Sequence, residues 1–321
     1  MKAVRIHQTG GPEVLQYEDV ELPPPAADQV RVRHTAIGVN FIDTYHRAGL
    51  YTLPMPAVLG SEAAGVVERI GDNVSTLRVG DRVGYCMVRG AYAEEANIPA
   101  WAAVKLPPQI SDETAAAALL KGLTARYLLK ATYKVKAGET ILLHAAAGGV
   151  GLIAAQWAKH LGATVIGTVG SQEKMALAKD NGCAHVLSTR QDDWVKRVRE
   201  ITNGAGVPVV YDSIGKDTFA GSLDSLSIRG LLVYFGNSSG AVPPFEPLNL
   251  IKGSFFLTRP TLAHYARDAK ELAETASDLF AVIASGAVKV AINQRFKLAD
   301  ARLAHEALHS RATTGATVLL P

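Results

Sequence analysis

The residues best placed to do chemistry stand in the run His144-Ala145-Ala146-Ala147-Gly148-Gly149-Val150-Gly151-Leu152. An apolar run at 140–143 leads into it and an amphipathic segment at 150–160 leads out, so the pattern is strand, glycine turn, helix. The first N–H groups of a helix lack intrahelical partners and the helix dipole favours negative charge there. A turn of small residues lets a pyrophosphate approach those donors. Gly148, Gly149 and Val150 are therefore candidate phosphate ligands. The next apolar run, 164–168, ends about 20 residues further on, the spacing of a dinucleotide fold, and Gly162 suits the end of the intervening helix. Proteins that prefer NADH usually place Asp or Glu at that strand end. Here it reads Gly170-Ser171-Gln172-Glu173-Lys174. A hydroxyl and an ammonium group suit a 2′-phosphate, which a carboxylate at the tip would repel. The expectation is a strong preference for NADPH, with Gly170, Ser171 and Lys174 around the 2′-phosphate and Glu173 turned to solvent.

These residues need a scaffold, and the chain supplies one in two styles. Residues 1–120 read as short strand-like runs, 29–34 and 64–70 among them, punctuated by Gly10-Gly11-Pro12, Pro23-Pro24-Pro25, Gly71-Asp72-Asn73 and Val79-Gly80-Asp81. After Pro107-Pro108 the pattern turns helical: Ser111-Asp112-Glu113-Thr114 is a capped start, followed by an alanine-rich run to Leu120 and a second helix to about Lys130. Beyond Gly138, candidate strands at 140–144, 164–168, 185–187, 207–212, 231–235 and 254–257 alternate with helices. Such alternation predicts an α/β fold with a Rossmann doubly wound parallel six-stranded sheet. A helix at 268–285, a strand near Arg295-Phe296 and a last helix and strand exceed what that sheet needs, so the tail is expected to return to the first domain. The expected domains are 1–123 with 262–321, and 124–261.

At 321 residues, 48% hydrophobic and 20% charged, the chain has room for two ordinary cores. A net charge of +3 with Lys and Arg scattered among acids offers no dedicated nucleic-acid surface. Cys86 and Cys183 are too few for a disulfide framework and fit a reduced, cytoplasmic setting. The opening residues alternate like a strand, and the apolar stretch 141–158 is broken by His144, Gln156 and the glycine turn, so neither export nor a membrane span is expected. His144, at a strand end, reads as structural. Tyr-x-x-x-Lys does not occur at a suitable place, which argues against a short-chain reductase.

With a β-rich first domain, an internal glycine turn and a returning tail, the chain resembles the medium-chain dehydrogenase/reductase superfamily, and within it the zeta-crystallin-like quinone oxidoreductases. The resemblance rests on Gly10-Gly11-Pro12-Glu13-Val14-Leu15, Gly38-Val39-Asn40-Phe41-Ile42-Asp43-Thr44-Tyr45, Gly60-Ser61-Glu62-Ala63-Ala64-Gly65, Lys121-Gly122-Leu123-Thr124, the glycine turn, Phe235-Gly236-Asn237-Ser238-Ser239-Gly240 and Ser310-Arg311-Ala312-Thr313. It implies a GroES-like catalytic domain beside the Rossmann domain. Zinc-dependent members carry a Cys and a His in the segments where this chain has Asn40 and Ser61, and neither an amide nor a hydroxyl normally replaces thiolate and imidazole on zinc. The structural four-cysteine lobe is missing too. The resemblance therefore implies hydride transfer without metal.

By the same resemblance, Asn40, Phe41 and Tyr45 lie beside the nicotinamide, with Ile42, Asp43 and Thr44 in the same cofactor-contacting segment, and Thr124 and Tyr127 approach the ring from the following helix. Gly148, Gly149 and Val150 hold the pyrophosphate. Phe235, Gly236, Asn237 and Ser238 approach the cofactor's centre, Phe256, Leu257 and Thr258 face the carboxamide, and Arg311 clamps a phosphate. Where relatives often place Tyr near the 2′-phosphate this chain has Thr189, which leaves that part to Ser188, Thr189 or Arg190. Asn40, Tyr45, Tyr51 and Tyr127 are expected to line an apolar cleft for a small quinone, with Tyr45 or Asn40 hydrogen-bonding its oxygen. Reduction of an enone or 2-alkenal is the alternative chemistry. An NADPH-loaded structural or RNA-binding protein is the alternative of another class, against which the scattered charge argues. A homodimer is the expected assembly.

Overall fold

The computed structural model of the chain describes residues 1–310 and 313–321. Its contacts divide into two compact units: Met1–Leu123 with Ala266–Ala284 and Val290–Pro321, and Thr124–Tyr265 with Ser285–Lys289. In the first unit β1 (Lys2–Ile6) pairs antiparallel with β2 (Gln16–Asp19) and β4 (Ala57–Val58). A larger sheet runs β15 (Ile292–Lys297), β16 (Ala316–Leu320), β3 (Gln29–Val39), β5 (Glu62–Ile70), β6 (Arg82–Cys86), β8 (Val104–Lys105), with β7 (Glu95–Pro99) also on β3. The tail joins the first unit, where β16 lies antiparallel to β3 with Val318 opposite Gly38, but residues up to Tyr265 and Ser285–Lys289 group with the second unit. Val30, Val32, Ile37 and Val39 of β3 enter one core with Leu319 of the tail and Ala304 and Leu308 of α8 (Ala301–His309). From the end of β3 the chain passes straight into α1 (Phe41–Ala48), with Asn40 at its N-cap and left-handed Gly49 at its end.

α2 (Asp112–Tyr127) corrects the expectation of two separate helices at 112–130. Ser111 caps its start, accepting from the Thr114 N–H at 3.1 Å, and a π-helical turn, Leu128–Thr132, extends its end. Gly122 does not break the helix. A Cβ there would stand 2.4 Å from Leu279 Cδ1 of α7 (Ala269–Ala284), so this glycine serves close helix packing rather than termination.

The second unit is built on six parallel strands: β9 (Thr140–Leu143), β10 (Thr164–Val169), β11 (Cys183–Ser188), β12 (Val207–Asp212), β13 (Leu226–Tyr234) and β14 (Phe256–Thr258). They lie in the order β11-β10-β9-β12-β13-β14, with α3 (Gly149–His160), α4 (Met175–Asp180), α5 (Trp194–Ile201) and α6 (Phe219–Asp224) in the connections. The order reverses between β9 and β12, so their C-terminal ends mark the switch point where a doubly wound sheet binds ligands. β13 starts earlier than its apolar run suggests, and Arg229 adopts a left-handed φ of 59° within it. No helix among the described residues is long and apolar enough to cross a membrane.

Candidate active site

In the second unit the residues expected to bind phosphate follow the strands' C-terminal ends, which parallel pairing puts along one edge of the sheet. After β9, His144 N–H donates to the Tyr211 carbonyl at 3.0 Å and Ala145 takes a left-handed φ of 52°. The turn closes with Gly148 N–H on the Ala145 carbonyl at 2.9 Å, and extended Gly148 caps the 12-residue α3. A Cβ on Gly151 would lie 2.2 Å from the Ala145 oxygen, so this glycine lets helix and turn touch. The N–H groups of Gly149 and Val150 belong to the first helical turn and have no earlier helical carbonyls to meet, as an anion site requires.

After β10, exposed Gly170 has open space where a side chain would be, and Ser171 and Lys174 are half-buried. Glu173 is exposed, and its carboxyl also accepts a hydrogen bond from the Ser171 hydroxyl, which lowers its pKa together with its own N–H and the Lys174 charge. The reason is local: Ser171 to Lys174 forms a tight 3₁₀ turn that brings positions 171 and 173 within reach. After β11, the Thr189 hydroxyl turns back to the Val169 carbonyl at 3.4 Å, while buried Ser188 accepts from the Arg190 and Gln191 N–H groups. Those contacts shape the loop. Beyond β13, Phe235 N–H meets the Asp212 carbonyl at 2.8 Å, Ser238 N–H meets the Ser213 carbonyl at 3.2 Å, and buried Gly236 leaves no room for a Cβ beside Ser213. The Tyr234 hydroxyl donates to Asn237 Oδ1. Leu257 and Thr258 are half-buried on edge strand β14, but Phe256 beside them is 60% exposed. Buried Thr124 and Tyr127 lie on α2, and the Tyr127 ring stacks on Tyr265 with centroids 4.6 Å apart. Burial pushes the Tyr127 hydroxyl up, so it stays protonated.

In the first unit the head of α1 is a buried polar network. Asn40 directs its amide hydrogens at Glu62 Oε2 (2.9 Å) and the Gly38 carbonyl (3.5 Å). Glu62, fully buried, also accepts from Lys121 Nζ at 3.2 Å and the Leu120 N–H at 2.6 Å. Asp43 accepts from the Asn40 N–H (2.9 Å), the Ser61 hydroxyl (2.9 Å) and the Tyr92 hydroxyl (3.0 Å). Because Tyr92 donates to Asp43, His305 Nε2 at 3.0 Å must be protonated and donate to Tyr92, and its Nδ1 accepts from Arg47 Nη1 at 2.9 Å. Burial pushes Asp43 up to about 6 against its three donors, and pushes His305 down to about 3 with the Arg47 charge acting in the same direction. The Asp43 carboxylate therefore anchors α1 instead of reaching outward, and Thr44 likewise turns its hydroxyl to the Phe41 carbonyl at 2.7 Å.

The outer face of α1 carries the aromatic residues. Phe41 and Tyr51 are each 37% exposed, Ile42 and Tyr45 are half-buried, and Tyr45 packs edge-on against Tyr51 with centroids 5.7 Å apart. Thus Phe41, Tyr45 and Tyr51 gather on one surface, with Asn40 locked behind them. Arg311 lies outside the described residues. Sequence reasoning missed Arg47, Tyr92 and His305. Of these only His305 carried a signal, the His-Glu-x-x-His spacing it makes with Glu306 and His309, but its ring nitrogens are engaged by Arg47 and Tyr92. Glu62 and Lys121 did carry a signal, since they adjoin Ser61 and Gly122 in stretches that mark the family resemblance. At the two positions where a zinc site would need thiolate and imidazole, the amide of Asn40 holds Glu62 and the hydroxyl of Ser61 holds Asp43. Among the described residues no three His, Cys, Asp or Glu side chains group as a metal site.

Residues 26–108 match the alcohol dehydrogenase GroES-like domain, and residues 149–281 match the zinc-binding dehydrogenases. The chain is 53% identical over 324 residues to a quinone oxidoreductase of Salmonella typhimurium, covering 99% of each chain. It is 46% identical over 329 residues to a 2-haloacrylate reductase of a Burkholderia species, covering 99% of this chain and 98% of the other. The crystal structure of Escherichia coli quinone oxidoreductase complexed with NADPH is 50% identical, covers 100% of both chains and superposes with a TM-score of 0.98.

Proposed function

The chain belongs to the quinone oxidoreductases of the medium-chain dehydrogenase/reductase superfamily, and from that membership and the two groups of residues above we propose that it reduces small quinones with NADPH. The observation that carries the reading is the glycine turn followed, at the end of β10, by Ser171 and Lys174 with no acidic residue at the strand tip. When bound, NADPH supplies the hydride; the quinone takes it and a proton to become a hydroquinone. Gly148, Gly149 and Val150 hold the pyrophosphate at the start of α3, and Ser171 and Lys174 meet the 2′-phosphate, with Gly170 giving it room. Phe235, Gly236, Asn237 and Ser238 flank the cofactor's middle, and Leu257 and Thr258 the carboxamide. Thr124 and Tyr127 serve its nicotinamide end. Asn40, Phe41 and Tyr45 orient the nicotinamide and the acceptor, and Tyr51 extends that surface. Tyr45 is the donor to the quinone oxygen, since the Asn40 amide hydrogens point to Glu62 and Gly38. The reduced quinone spreads its negative charge over a conjugated ring, so the reaction demands no Lewis acid.

Purified protein with NADPH, offered 1,4-benzoquinone, an enone and a 2-haloacrylate in turn, tests the acceptor class. The quinone is expected to give the highest kcat/KM; a higher value for either conjugated carbonyl compound would reassign the substrate.

We also read the chain as a homodimer of the cytoplasm. Ile228, Leu248, Ile251 and Phe256 are 79%, 68%, 75% and 60% exposed, and β14 is the edge strand of its sheet, a combination that invites a second copy. The thiols of Cys86 and Cys183 are unpaired and buried, which fits a reducing compartment. Light scattering of the eluted protein is expected to give twice the chain mass, and Phe256→Glu to halve it; a wild-type monomer would remove the dimer.

A further inference from the structure

The glycine turn rests on a buried polar chain that the reading above leaves without a role. His144, 1% exposed, stands between β9 and the turn. Its Nδ1 is 2.7 Å from Thr168 Oγ1 on β10, and its Nε2 is 3.0 Å from Ser222 Oγ on α6. Ser222 Oγ donates to Asp212 Oδ2 at the end of β12, at 2.8 Å. The Asp212 carboxylate is already surrounded, accepting from the Ile214 and Gly215 N–H groups and from the Thr218 hydroxyl.

Proton accounting fixes every role in this chain. The Ser222 hydrogen is engaged by Asp212, so Ser222 can only accept from His144, and Nε2 carries the imidazole hydrogen. Burial keeps the ring neutral, so Nδ1 accepts from the Thr168 hydroxyl. Trp194 packs edge-on against the ring with centroids 5.0 Å apart. This is not a hydrolytic triad: the serine hydrogen points to the aspartate rather than to the histidine, and Ser222 is fully buried.

What the chain supports is the strained step of the turn. Ala145, the residue after His144, holds a left-handed φ of 52° that alanine adopts at a cost of about 1–2 kcal/mol, and such conformations persist where the surroundings over-determine them. Main-chain bonds grip the neighbours on both sides: His144 N–H to the Tyr211 carbonyl at 3.0 Å, and Ala146 N–H to the Thr168 carbonyl at 2.9 Å. The side chain of His144 ties the same point to β10, to α6 and, through Ser222, to β12. We infer that His144 is a positioning residue for the phosphate turn, fixing Ala145 and with it the direction of the Gly149 and Val150 N–H groups toward the cofactor's 5′-side phosphate. The inference rests on the reading of the turn as an NADPH pyrophosphate site.

The test measures binding of adenosine 2′,5′-bisphosphate, 2′-AMP and NADPH by calorimetry to the full-length wild type, His144→Leu and His144→Gln. Leucine removes both ring contacts, whereas glutamine keeps a donor and an acceptor. His144→Leu is expected to weaken NADPH and the bisphosphate about tenfold, the worth of one to two hydrogen bonds, and to leave 2′-AMP, which carries no 5′-phosphate, unchanged. In the same variant kcat at saturating NADPH stays within about twofold, and His144→Gln recovers most of the affinity, since a positioning defect acts on binding rather than on the chemical step. Equal weakening of all three ligands, or unchanged affinities in folded His144→Leu, overturns the inference. Should the leucine variant fail to fold, Thr168→Val removes one contact and is expected to weaken the bisphosphate about threefold with 2′-AMP unchanged; no change overturns it equally. A wild type that binds none of the three ligands would instead refute the NADPH reading itself.

Discussion

The head of α1 in the first unit and the start of α3 in the second both gather residues assigned under the proposed function, and they are built in opposite ways. At α3 the main chain does the work: Gly148 closes the turn on Ala145, Gly151 admits close contact, and the ligands are N–H groups. At α1 side chains do it. Asn40 is held through Glu62 to Lys121, and through Asp43 to Tyr92, His305 and Arg47, all of them buried. A main-chain site is compact in sequence and tolerates few side chains. A side-chain site gathers residues from across 258 positions of chain, as the Arg47–His305 contact does, and stands or falls on charge balance in a dry interior.

That contrast can be broken by experiment. Lys121→Met leaves Glu62 fully buried without its cation, which should destabilise the chain by about 3–5 kcal/mol, the largest effect expected. Thermal unfolding reads it, and a Tm within a degree of wild type would mean the pair holds nothing in place. Asp43→Asn tests the other arm. The carboxyl is raised from 3.8 to about 6, so the folded chain binds that proton more tightly than the unfolded one. Its stabilising contribution is complete below pH 3.8 and disappears as pH rises through 6, a swing of about 3 kcal/mol at 1.4 kcal/mol per unit. His305, lowered from 6.5 to about 3, runs the other way, with stability present above 6.5 and lost as pH falls toward 3. The readout is therefore the difference between wild-type and Asp43→Asn unfolding free energies across pH 4–7, which should change in the direction given; a difference independent of pH contradicts it.

On the main-chain side the expected effects are smaller and confined to the ligand. Lys174→Met should raise the KM for NADPH by about 10- to 100-fold, the worth of one charge-assisted hydrogen bond, and leave NADH unaffected. Equal losses with both cofactors would move Lys174 away from the 2′-phosphate. Glu173→Gln removes a carboxylate that accepts from Ser171, and should tighten NADPH a few-fold. Weaker binding would mean that Glu173 shapes the loop and does not compete with the phosphate.

The same contrast explains what could be read in advance. The six parallel strands follow from alternation of apolar runs and helices, and the turn from adjacent glycines, because both are local patterns, whereas their order in the sheet comes from the structure. The division of α2 after Leu120 was misread, since the helix runs on through Gly122, which admits Leu279 instead of ending it. Asp43 lay inside a recognised segment, yet its inward direction depends on Tyr92 and His305, which no local pattern connects to it. The exposure of Glu173 was legible, but not its contact with Ser171, because a 3₁₀ turn, not an α-helical one, sets which neighbours meet.

The central claim, NADPH-driven quinone reduction that runs on this chain's own residues, is tested most directly by kcat/KM for 1,4-benzoquinone with NADPH and with NADH after exhaustive chelation. The account predicts undiminished turnover and at least about a tenfold preference for NADPH. Equal efficiency with the two cofactors, or turnover abolished by chelation and restored by Zn²⁺, would contradict it.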